Sequence, residues 1–157
     1  MSTRIATTWQ TIYDLVGAID YTHPQGAGYK YVYGAFPDKT IEDSTIYPLI
    51  IVHNPEFSQT EQTYNAISNK VSIDIEVYTT NAALIDSLSD KIITKIEHST
   101  SRNTLASSNL YTPEITSMMS STYRKGAMKI HLLRMRYSFR MVYVLSLIHI
   151  SEPTRPY

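Results

Sequence analysis

The sequence contains no cysteine, which excludes disulfide frameworks, cysteine-ligated zinc and thiol nucleophiles together and fits synthesis in a reducing compartment. It has no surplus of charge either: Lys plus Arg and Asp plus Glu number 14 each, so no global imbalance points to a nucleic-acid binder or an acidic tail. No run approaches the ~20 apolar residues that span a bilayer, and residues 1–11 lack the apolar centre of a signal peptide, so the chain reads as soluble and not secreted. A glycine-rich phosphate loop, a dinucleotide fingerprint and a Ser-His-Asp order are all missing. Tyrosine is what the chain has in excess, 13 residues against 3 phenylalanines. A rigid ring with a polar tip suits half-buried surfaces, those between subunits above all.

At 157 residues the chain is long enough for one domain with a real core, and residues 1–144 are expected to form it. Its plainest signal lies in residues 69–100. Val71, Ile73, Ile75 and Val77 alternate with Ser72, Asp74 and Glu76, the pattern of a strand with one face in a core. Thr79-Thr80-Asn81 then offers helix-capping side chains, and Leu84, Leu88, Ile92 and Ile96 stripe a helix over residues 82–97. Ahead of this, Trp9, Ile12, Tyr13 and Val16 predict a helix over residues 6–19, residues 20–28 a loop, and residues 29–33 a short strand. Residues 46–53 read as a strand buried on both faces, with Pro48 at its start. The polar stretches 54–68 and 99–109 read as loops. Residues 110–121 predict a strand, Arg124-Lys125-Gly126 a turn, and residues 128–144 a long last strand. Ile130 and Leu132 break parity with Leu133, Met135, Tyr137, Phe139 and Met141, which predicts a bulge at residues 131–133. The order α-β-β-β-α-β-β implies an α+β fold, an antiparallel sheet of four to five strands with two helices on one face.

Four groups of residues carry candidate chemistry. His53 and Glu56 have the types to hold a metal, but two ligands do not make a site and no further ligand has matching spacing. Asp74 and Glu76 share a strand face, as a glycosidase carboxylate pair would, though such a pair beside cations is ordinarily ion-paired. Arg134, Arg136 and Arg140 line one face of the last strand, with Arg124, Lys125 and Lys129 nearby. They suit either phosphate contact or pairing with Asp74 and Glu76, across strands or between subunits. Tyr29, Tyr31 and Tyr33 beside Lys30 can stack on bases or simply build a strand.

Tyr47-Pro48-Leu49-Ile50-Ile51-Val52, the polar segment after it, the strand Val71 to Tyr78, and the helix with Leu88-Ser89-Asp90-Lys91-Ile92 at its centre lead into a long closing hairpin. Together they resemble the tail terminator, or tail-completion, proteins of long-tailed bacteriophages, over roughly residues 6–143. The resemblance implies a non-catalytic virion protein at the tail neck, without cofactor or metal. Its copies form a ring, typically of six, that caps the tail tube and joins it to the head connector, with DNA passing through the lumen unread. The implied partners are further copies of the chain, the tube protein and the connector, and no membrane. The contact residues expected under this resemblance are Tyr29, Tyr31, Tyr33, Glu56, Phe57, Tyr64, Asp74, Glu76, Arg134, Arg136 and Arg140. A different neck or head-completion protein, and a small nucleic-acid-binding module using the arginine strand, are the alternatives. Residues 145–157, LSLIHISEPTRPY, resemble translated sequencing-adapter DNA and are expected to be a non-native tail.

Overall fold

The computed structural model describes residues 3–39, 41–62 and 66–144. Its elements are α1 (Thr3–Gly17), β1 (Val32–Tyr33), β2 (Leu49–Val52), β3 (Glu56–Gln62), β4 (Ala66–Thr79), α2 (Ala82–Glu97), α3 (Ser101–Ser107), β5 (Leu110–Lys125) and β6 (Met128–Val144). The fold is α+β, with three helices and a six-stranded sheet ordered β1-β2-β4-β6-β5, in which β3 continues along the same side of β4 as β2. The sheet is mixed because β1 runs parallel to β2, while the other pairings are antiparallel. Residues 145–157 and Tyr64 lie outside the described residues.

β4 and β6 form the spine. They pair without a register shift from Ala66 opposite Val144 to Thr79 opposite His131. Val71, Ile73, Ile75 and Val77 on β4, and Leu133, Met135, Tyr137, Phe139 and Met141 on β6, face the helices as one buried layer. Ile12 and Val16 of α1, Leu88, Ile92 and Ile96 of α2, and Leu105 of α3 close over it. Asn81 caps α2 by accepting from the Ala83 N–H at 3.1 Å, so the helix starts directly after β4 and folds back along it.

Four expectations are corrected. The bulge expected at residues 131–133 is absent from β6; the shifts lie in β5, between Tyr111 and Glu114 and between Ile115 and Ser117. Ile130 keeps strand parity and is buried on the opposite face of the sheet, in a second cluster with Ile46, Tyr47, Leu49 and Ile51. Residues 54–68 are mostly strand, because Ser, Gln and Thr satisfy a ladder through main-chain groups without an apolar face. Residues 99–109 contain α3, whose Leu105 is its apolar anchor. The expected strand over residues 29–33 shrinks to Val32–Tyr33.

Candidate interaction surfaces

The sheet face away from the helices is apolar at the hairpin end and polar further along. On the polar part, strand register sets Glu76 opposite Arg134 and Asp74 opposite Arg136. Glu76 is 3% exposed. Its Oε2 accepts from Arg134 Nη2 at 3.0 Å and from Tyr78 Oη at 3.3 Å, and its Oε1 meets His53 Nε2. Asp74 takes a bidentate fork from Arg136, Nε to Oδ1 at 2.8 Å and Nη2 to Oδ2 at 3.1 Å. These bonds, with the attraction of the two guanidiniums, hold the Asp74 carboxyl below the usual carboxylate range. Glu56 Oε2 lies 4.0 Å from Arg136 at the rim. Arg140 stands opposite Lys70 and donates to Ser68 Oγ at 3.3 Å.

The pairing anticipated for Arg134 and Arg136 is thus made within the chain, and two of the three strand arginines are neutralised there. His53 turns to Glu76 instead of Glu56, and the described residues contain no group of three metal-binding side chains. Phe57 packs half-buried against the main core. Tyr29 stacks on the buried His23 at 4.4 Å, Tyr31 meets Tyr21 edge-on at 5.4 Å, and Tyr33 joins the second cluster. Burial also lowers the pKa of His23, because a charged imidazole there would lose its hydration.

The β1–β2 side of the sheet is closed by α1. Tyr13 Oη donates to the Val32 carbonyl at 2.7 Å, and Trp9 Nε1 to the Val52 carbonyl at 2.9 Å. A Cβ on Gly34 would come within 3.0 Å of the Trp9 ring, so glycine there lets the indole approach. On the far side, β5 is an edge strand whose residues 116–122 are all exposed, on both faces. Met118 is 48% and Met119 65% exposed. This edge was missing from the sequence reading of contacts, although a nine-residue stretch without charge, residues 115–123, was visible. Beyond it, Arg124, Lys125 and Lys129 crown the β5–β6 turn, and none of them makes an ion pair among the described residues. Two grooves lie on the helix side: one of about 400 Å³ beside Asp20, Lys91 and His98, the other of about 550 Å³ beside Arg102, Leu105 and Tyr111. No described helix is long and apolar enough to cross a membrane.

No protein-family model matches the sequence, and neither does any curated protein. The architecture defines a class, small α+β domains with helices packed on one face of a sheet centred on a long antiparallel strand pair. Among solved structures, a chain from the virion of a native gene transfer agent (GTA) particle matches it with a TM-score of 0.53 and 9% identity. The match covers 90% of this chain and 100% of that one. At that identity the likeness is one of fold.

Proposed function

We propose that this chain is a structural protein of a virion, and within the virion a tail terminator whose copies ring the end of the tail tube and join it to the head connector. The observation that carries the reading is the near end-to-end fold match to a GTA virion chain, with 100% of that chain covered. The sequence resemblance to tail terminators points the same way. The polar hairpin of β3 and β4 and the tyrosine-rich residues 20–45 supply the contacts to tube and neighbours, and DNA passes through the lumen without base readout. The reading invokes no catalytic step. Deleting the gene in a particle-producing host tests it: tubes of uncontrolled length and tailless heads are expected, and normal tails joined to heads would refute it. Heads that leak DNA beside tails of normal length would move the assignment to a head-completion ring.

One observation favours a second reading. Arg124, Lys125 and Lys129 are exposed at one hairpin end, a cluster able to contact phosphates. Under that reading the purified chain binds duplex DNA, and log affinity falls against log salt by ~0.9 per phosphate contacted. Absence of binding at low salt removes it.

A further inference from the structure

Among the described histidines only His23 is enclosed, at 2% exposure. It heads a tight turn in which the Gly26 N–H donates to the His23 carbonyl at 2.9 Å and the Tyr29 N–H to the Gly26 carbonyl at 3.1 Å. Gly26 holds φ at +126°, a conformation that favours glycine. The imidazole closes this turn from inside, because its Nδ1 accepts the Gln25 N–H at 3.1 Å. A main-chain N–H can only donate, so Nδ1 carries no proton and the ring is the neutral tautomer protonated on Nε2. Tyr29 is stacked on that ring, and Tyr31 lies 6.1 Å from it.

A second proton on the imidazole has to land on Nδ1. There it meets the Gln25 N–H, so a bond is lost and two donors face each other. Nothing at the other nitrogen offsets this. Nε2 is buried with no partner in bonding geometry, and the nearby carbonyls of Ile46 and Pro48 see the same N–H in either charge state. Lys39 is the charged side chain whose field reaches the ring, and it repels a second cation; no carboxylate among the described residues counters it. The Tyr29 ring favours a cation, but Lys39 already stands over it, 5.1 Å from the centroid, and donates to Tyr29 Oη at 3.1 Å. Tyr31 turns its hydroxyl away, donating to the Tyr21 carbonyl at 3.4 Å. Burial first, then the facing donor and Lys39, therefore all hold His23 neutral.

We propose that His23 is a proton-operated latch: the neutral imidazole holds residues 23–31 closed against the core, and a proton on Nδ1 releases them while the sheet stays folded. Release unstacks Tyr29 and Tyr31 and exposes their rings. It also frees the Ile50 N–H, which donates to the Tyr31 carbonyl at 2.8 Å. The latch is a property of the single chain and goes beyond the virion reading, which neither needs it nor falls with it.

Hydrogen exchange of the full chain, read residue by residue by NMR, tests this. After correction for intrinsic rates, the Ile50 N–H is expected to exchange at least tenfold faster than the Met135 N–H of the central β4–β6 pair at pH 7.5, the mark of an opening smaller than global unfolding. One proton taken up below the unfolded value near 6.5 raises the opening constant by at most about tenfold per pH unit. Protection of Ile50 should accordingly fall by about threefold to tenfold between pH 7.5 and 5.5. His23→Asn supplies an amide oxygen for the Gln25 N–H and does not titrate, so it should keep that protection within about twofold over the same range. The nitrogen shifts of the wild-type imidazole should show the proton on Nε2 at pH 7.5. Ile50 exchanging no faster than Met135, protection that does not change with pH, the same fall in His23→Asn, or a proton on Nδ1 at pH 7.5 would each overturn the proposal. The wild-type readouts decide it where His23→Asn does not fold.

Discussion

Closing the β1–β2 edge is a task the structure gives to two rings of α1, and Trp9→Phe measures what that closure is worth. Val52 is fully buried, and its carbonyl accepts the indole N–H at 2.9 Å. Phenylalanine keeps an aromatic ring near Tyr13, now stacked 4.6 Å from the indole, but supplies no donor. An orphaned buried carbonyl costs about 1–3 kcal/mol. Trp9 is itself only partly buried, so water recovers some of this, and ~1.5 kcal/mol is the expected share. Losing the part of the indole that packs on Gly34 adds about 1 kcal/mol. The sum is ~2–3 kcal/mol, which at a urea m-value of ~2 kcal/mol/M moves the midpoint down by roughly 1–1.5 M. Because Trp9 is the sole tryptophan, unfolding is followed by far-UV circular dichroism. Tyr13→Phe, which loses only the bond to Val32, should cost ~0.5–1.5 kcal/mol. A Trp9→Phe change under ~0.5 kcal/mol with an unaltered m-value would refute the claim that α1 closes this edge.

Three further outcomes follow from the same geometry. Leu88→Ala or Ile92→Ala, each truncating a fully buried side chain of α2, should destabilise by about 2–5 kcal/mol in the same urea assay. His23 has its pKa lowered by burial, so the unfolded chain takes up its proton more readily. Its contribution is complete above the unfolded value near 6.5 and declines as pH falls below it toward the folded value; His23→Gln should flatten that part of the stability profile. Asp74, held low by the Arg136 fork, contributes stability above its unfolded pKa that is lost as pH falls through the folded value. Arg136→Met should raise the Asp74 pKa in an NMR titration, and an unmoved titration would show that the fork is not its cause.

The parts of the fold legible in the sequence are those where one face of an element is apolar. Val71 to Val77 and the stripe of α2 declared themselves because each element has one core and one polar side. Legibility failed where that contrast is lost. Ile130 looked out of phase because the sheet has a second, smaller apolar cluster behind it, which a one-face reading turns into a bulge. β3 is held by main-chain bonds to β4, and its polar sequence, Glu56–Gln62, looks like loop. Pairing of the Asp74–Glu76 face with Arg134 and Arg136 followed from strand parity alone. The His53–Glu76 contact did not, since 23 residues separate them and only the β2–β4 register brings them together. The β5 edge escaped notice because an exposed, uncharged strand has no periodicity to detect.

Electron microscopy of tail tubes incubated with the purified, gold-labelled chain tests the central claim most directly. A single closed ring of label at one end of each tube, with tube growth stopped there, is the result the account predicts. Tubes that stay unlabelled at both ends and go on growing would contradict it.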